Sequence, residues 1–296
     1  MKNQQTILNH FSNEEYLKAA DICRKSLTND PNNLFYLNMI SISHSAADDN
    51  LKAARYIKKA FSINPRDRDT TFNYGTIMFQ IGNFDDAYDG FNALLNINDQ
   101  EIRGWLGLGS IFQKKGDLAR AENMFLKCLN LDKKNITALM RLRKIYYYML
   151  KAPLEEKIID TILEFYPDNI ETLTAKIGNF IKQNKIKQAK HTFLELRACS
   201  KEKDSFTEDV VEIDLEWASG NKSDAIKLSE RLTEKNPSSY AAWNTLANLR
   251  IAQSDIGNAR YPVIKSYLLA RKDLEKNNVD MRRIFNSIYL YYRMIK

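Results

Sequence analysis

The stretch Gly104-Trp-Leu-Gly-Leu-Gly-Ser-Ile-Phe-Gln-Lys-Lys-Gly116 packs four glycines and two lysines into thirteen residues, a composition that could cradle a phosphate. A dinucleotide-binding turn needs G-x-G-x-x-G after a strand, however, and Phe112 stands where the third glycine should be. Asp67-Arg-Asp69 imitates a metal-binding D-x-D but lies in a loop behind Pro65, where a structural role is expected. His10, His44 and His191 are far apart, and His44 falls on the inward side of a helix as a packing residue. No G-x-S-x-G, H-E-x-x-H or G-x-x-x-x-G-K-S/T occurs. Cys23, Cys128 and Cys199 are widely spaced without C-x-x-C, which favours reduced thiols over disulfides or structural zinc. No catalytic constellation, cofactor or metal site is therefore expected.

The elements that carry these residues follow from an internal period. Ala53, Ala87 and Ala121 are 34 residues apart, as are Ile57, Phe91 and Phe125, then Ala60, Leu94 and Cys128. One step back gives Ala19, Cys23 and Ser26; two steps forward give Ala189, Phe193 and Leu196. Leu37, Thr71, Trp105, Leu139 and Leu173 keep the same spacing, with Gly75 and Gly109 on a neighbouring register. Apolar residues at i, i+3, i+4 and i+7 then mark two helices per period, with small residues where the helices cross. Gly107 and Gly109 thus fall inside a helix, while Gly116-Asp117 ends one helix and caps the next. Asn83 and Ser223-Asp224 read as further helix starts, and Pro153 as a first-turn proline.

This pattern resembles the tetratricopeptide repeat family, best in Trp105, Leu108, Gly109, Phe112, Ala121, Phe125 and Cys128, and again in Trp243, Leu246, Ala247 and Ala259. About eight repeats cover nearly the whole chain. The resemblance implies an all-α solenoid, a right-handed superhelix of antiparallel helix pairs. Residues 1–201 are expected to hold about six repeats, the first one weak and frayed; 202–272 hold two more after a longer linker; 273–296 form a capping helix. Glu155 replaces the packing alanine of the fifth repeat, so that pair is expected to splay, and Pro262 is expected to kink the last second helix or delay its start.

In this family the first helix of each repeat lines a concave groove. The resemblance places there Phe35, Asn38 and Ile42, then Phe72, Asn73, Thr76 and Phe79, then Arg103, Ser110 and Lys114. Arg141, Lys144, Tyr147 and Tyr148 follow, with Lys182, Trp217, Asn244 and Asn248 beyond. Aromatic residues at one end and cations in the middle suit a peptide, extended or helical, that carries acidic residues. Chaperone-binding members hold a C-terminal carboxylate with a set of Lys, Asn and Arg over three repeats; no three successive repeats here show that set.

Function is accordingly expected to be non-catalytic scaffolding by peptide binding. The alternatives are a substrate-recruiting module of a glycosyltransferase or sulfotransferase system and an RNA-binding repeat array. RNA binding would need a regular series of base-reading pairs and a continuous basic stripe, which makes nucleic acid a poor fit. The net charge is +7, with an excess of four basic residues from Arg271 to Lys296. No leader and no run of about 18 apolar residues suggests secretion or a membrane span, so a cytoplasmic address is expected. Met281, Ile284, Phe285, Ile288, Tyr292 and Ile295 form a helical stripe, while Leu290, Tyr291 and Met294 fall off it and could serve self-association or docking. Frequent Asn, Lys and Ile fit an A+T-rich bacterial genome.

Overall fold

The computed structural model of the chain describes residues 2–200, 205–275 and 289. Sixteen helices and no strand occur among them. They pair as α1 (Lys2–Ser12) with α2 (Tyr16–Ser26), α3 (Leu34–Ala46) with α4 (Asn50–Ile63), α5 (Arg68–Gln80) with α6 (Phe84–Ile97), and α7 (Ile102–Lys114) with α8 (Leu118–Leu131). The series continues with α9 (Ile136–Tyr148), α10 (Ala152–Phe165), α11 (Ile170–Lys182), α12 (Ile186–Cys199), α13 (Phe206–Ala218), α14 (Lys222–Lys235), α15 (Tyr240–Ala252) and α16 (Ile256–Glu275). Two compact units result, residues 1–158 and 159–296.

Local sequence sets each boundary. Asn33, Asp49, Asp67, Asn83, Asp117 and Asn135 cap α3, α4, α5, α6, α8 and α9, each side chain accepting a bond from an amide three residues on. Gly82 and Gly116 take positive φ (80° and 79°) between paired helices, where a side chain would be strained. Asp67 accepts from both the amide (2.9 Å) and the hydroxyl (2.6 Å) of Thr70, so the D-x-D stretch is a cap and a first turn.

In the first unit the repeating columns form the core. Ala53, Ala87, Ala121, Ile57, Phe125, Ala60 and Cys128 are fully buried. The small residues are required: a Cβ on Gly109 would lie 2.6 Å from the Phe125 ring, and one on Gly75 2.8 Å from Phe91. Burial pushes the thiols of Cys23 and Cys128 up to about 12, which keeps them protonated and inert. His44 is buried against Tyr56, with rings stacked at 6.0 Å, as its inward position implies. In the second unit, Leu173, Ile177, Ala189, Phe193 and Leu196 form one cluster, and Ile213, Ala225, Leu232 and Ala242 another.

Three local expectations are revised. The first repeat is a complete helix pair, because fully buried Ile7 supplies the inward residue that the sequence pattern seemed to lack. α14 begins at Lys222 behind Asn221, so Ser223 and Asp224 sit in its first turn; Asp224 meets Lys227 at 3.4 Å instead of capping the helix. α16 begins at Ile256 and runs as one helix through Pro262, without a late start. Pro262 falls at its seventh residue, removes one helical bond near the beginning, and lies buried.

Glu155, where a packing alanine would stand, stays inside. It is buried and faces Arg143 across 3.8 Å, and Arg143 occupies the column of Gly75 and Gly109. Where neighbouring repeats set two small residues against each other, this one sets an ion pair. The linker residues 201–204, the 276–288 part of the stripe, and Leu290, Tyr291 and Met294 lie outside the described residues.

Candidate functional site

α3, α5 and α7 of the first unit stand side by side, and each presents one face, residues three, four and seven apart on α3 and α7 and a similar set on α5, to the spaces between them. From α3 come Phe35, Asn38, Met39 and Ile42; from α5, Phe72, Asn73, Thr76 and Phe79; from α7, Arg103, Leu106, Gly107 and Ser110. A hollow of about 420 Å3 joins Phe35, Asn38, Phe72, Asn73 and Arg103. A second, of about 240 Å3, is walled by Phe72, Phe79, Phe91, Leu106 and Gly107, with Thr76, Arg103 and Ser110 at its edge. Gly107 sets the second floor, since a Cβ there would lie 2.6 Å from Phe91.

The polar residues at this end are engaged with one another. Asn38 is buried; its amide donates to Leu34 O (2.9 Å) and Thr70 Oγ1 (2.7 Å), and its carbonyl accepts from Asn73 Nδ2 (2.9 Å). Asn38 therefore works as a strut, and Asn73 is the amide on the surface side. Arg103 gives Nε to Glu101 Oε1 (2.8 Å) and Nη2 to Glu101 Oε2 (3.2 Å) while its guanidinium lies 4.4 Å from the Phe72 ring centre. Arg68 reaches the same carboxylate through Nε at 2.6 Å. These two cations hold the Glu101 carboxyl well below its ordinary 4.5, at about 2, with Arg103 the larger contributor. The charge of Arg103 is thus compensated locally.

The cations farther along differ. Lys114 is exposed at the end of α7, and Arg141 is exposed on α9, where its one side-chain bond runs to Gln113 Oε1 at 3.1 Å. Lys144 is likewise exposed on α9, and Tyr147 and Tyr148 stack edge to face at 5.6 Å, each about half exposed. Following one register through the repeats gives Met39, Asn73, Gly107 and Arg141; a second gives Ile42, Thr76, Ser110 and Lys144. Along the first unit the lining therefore passes from apolar to polar to small to basic.

The second unit gathers its expected residues less closely. Lys182 and Asn248 are exposed; Trp217 is half-buried with the Lys222 ammonium 5.4 Å from its ring; Asn244 keeps a buried Oδ1 without a hydrogen bond. A hollow of about 350 Å3 is lined instead by Asp209, Glu212, Leu228, Arg231, Leu232 and Lys235. Sequence reasoning missed Glu101, Arg68, Thr70, Leu106 and Gly107. The available signal was spacing: Arg68 precedes Glu101 by 33 residues and Asn38 precedes Thr70 by 32, so each partner lies about one period away.

Among the described residues, no group of three or more His, Cys, Asp or Glu could hold a metal ion, and no helix is long and apolar enough to cross a membrane. Family profiles described as tetratricopeptide repeat match residues 102–135 and 210–273. A TPR repeat-containing protein of Methanocaldococcus jannaschii is 28% identical over 140 residues, 45% of this chain and 24% of that protein. The human Protein O-mannosyl-transferase TMTC3 is 26% identical over 173 residues, 57% of this chain and 19% of that protein. The chain thus spans only about a quarter or less of the length of these curated relatives. The crystal structure of yeast Tom70 aligns with a TM-score of 0.58 at 20% identity, over 95% of this chain and 59% of that one. The 34-residue period, the succession of helix pairs and both profile matches show that the chain carries tetratricopeptide repeats, which form protein–protein interaction modules.

Proposed function

We propose that the chain is a non-catalytic adaptor that holds a peptide segment of a partner protein against the first helices of residues 1–158, with acidic ligand residues near Lys114, Arg141 and Lys144. The observation that carries this reading is the convergence of Phe35, Asn38, Phe72, Asn73, Phe79 and Arg103 on two adjoining hollows, followed by exposed cations farther along the first helices. Aromatic walls supply contact area and the cations supply charge-assisted bonds to carboxylates. A random-peptide display library panned on the intact chain tests it. Acid-containing peptides should be enriched and should lose binding when Arg141, Lys144 and Tyr147 are all changed to Ala, with the far-ultraviolet circular dichroism unchanged. No enriched peptide, or equal binding to the triple variant, would overturn the assignment.

The match to TMTC3 supports a second reading, in which the array recruits substrates or partners for a glycosyl-transfer system. Co-purification with a glycosyltransferase that depends on the same surface would favour it. Independence from that surface would remove it.

A further inference from the structure

The two halves of this surface differ in chemistry, and the difference defines the ligand more closely than acidity alone. Resting on the peptide-binding reading above, we infer that the ligand is bipartite: one large apolar side chain, aromatic or leucine, enters the hollow between α5 and α7, and an acidic residue about three positions away meets Arg141 and Lys114.

The apolar half follows from the walls. Phe72, Phe79, Phe91 and Leu106 surround a space of about 240 Å3 whose floor is opened by the missing Cβ of Gly107. The polar groups at its edge are largely occupied: Ser110 donates to Leu106 O (2.9 Å), and Arg103 is spent on Glu101 and stacked on Phe72. A carboxylate placed here would gain little from Arg103 and would meet the field of buried Glu101. An apolar group would lose water against the rings of Phe72, Phe79 and Phe91 and the side chain of Leu106.

The acidic half follows from where uncompensated charge lies. Around the larger hollow, Asp67, Asp69 and Glu101 outnumber Arg68 and Arg103, so that end does not attract anions. Among the described residues no carboxylate lies within ion-pair distance of Lys114 or Arg141, and Arg141 is tied by Gln113 to the end of α7, beside Lys114. α9 stands one first-helix step beyond α7, roughly 8–10 Å for packed helices. An extended peptide covers that in about three residues.

The same display selection supplies the test, using random dodecapeptides on the full chain and then a synthetic copy of the best binder, with affinity read by fluorescence anisotropy. The expected consensus pairs an aromatic or leucine with an acidic residue about three positions away. Changing that apolar peptide residue to Ala should weaken binding about tenfold or more, the scale of an anchor residue. On the protein, Thr76→Trp, which fills the hollow from its edge, should do the same, and Lys114→Glu with Arg141→Glu should weaken binding and reduce its salt dependence. Because the peptide substitution leaves the protein untouched, a poorly folded Thr76 variant does not decide the matter. Peptides that bind, fail on the Arg141/Lys144/Tyr147 variant, yet show no apolar anchor would overturn the bipartite ligand and leave the peptide-binding reading standing. An absence of any binder would overturn both.

Discussion

Replacing Glu155 by Ala should lower the denaturant concentration at which the fifth repeat unfolds, because it removes a carboxylate that faces a buried guanidinium. The Arg143 and Glu155 side chains are 10% and 6% exposed and 3.8 Å apart. At that distance, with an effective permittivity of about 20, their attraction is about 4 kcal/mol. Removing one partner of such a pair costs about 3–5 kcal/mol, since the other charge stays buried. The next repeat shows how the column can be filled without charge, with Ile177 opposite Ala189. Changing Arg143 to Ile together with Glu155 to Ala should therefore restore stability to within about 1 kcal/mol of the natural chain, as buried pairs exchanged whole for apolar groups usually do. Repeat arrays need not unfold in one step, so urea titration by circular dichroism should be joined to hydrogen exchange of α9 and α10 amides. If Glu155→Ala costs less than about 1 kcal/mol, or if the double variant is no better than the single, the pair does not carry the stability assigned to it.

Two further outcomes follow from the packing and the charges. Gly109→Ala should destabilise by about 1–3 kcal/mol, because its Cβ would lie 2.6 Å from Phe125, whereas Gly178→Ala, with nothing within 4 Å of the new Cβ, should stabilise α11 by about 0.5–1 kcal/mol; melting curves showing equal shifts would refute the contrast. Glu101 ionises at about 2 in the folded chain against an ordinary 4.5, so the native state holds fewer protons than the unfolded state between those values. Its contribution is complete above about pH 4.5 and disappears as pH falls through about 2; Glu101→Gln should flatten the fall in urea midpoint across that window, and an unchanged slope would show that Glu101 is not responsible.

Much of this was legible in the sequence because most of the helix crossings are built from small residues. Where two backbones approach, only Gly75, Gly109 and the run of buried alanines fit, so the period and the inward columns could be read directly. Caps were legible where a short polar residue directly precedes the apolar run, as at Asn83 and Asp117, and misplaced at α14, where Ser223 and Asp224 offered a more familiar cap than Asn221. The site was only partly legible. Its members could be located by register, but whether a side chain is available depends on partners about one period away: nothing local to Asn38 reveals Thr70 and Asn73, and nothing local to Arg68 reveals Glu101. Glu155 could be recognised as odd on its own, and its partner Arg143 emerged only from the folded chain.

The bonds from Asn38 to Thr70 and Asn73, from Arg68 to Glu101, and from Ser45 to Gln80 (2.7 Å) all join one first helix to the next. They act as crossbars on a ladder. The distance between rungs at the aromatic end is set before any ligand arrives, so a bound segment would be measured by the interval between its contact points as well as by their chemistry. Inserting a single residue between anchor and acid would then be felt as a misfit in length, even with every side chain kept.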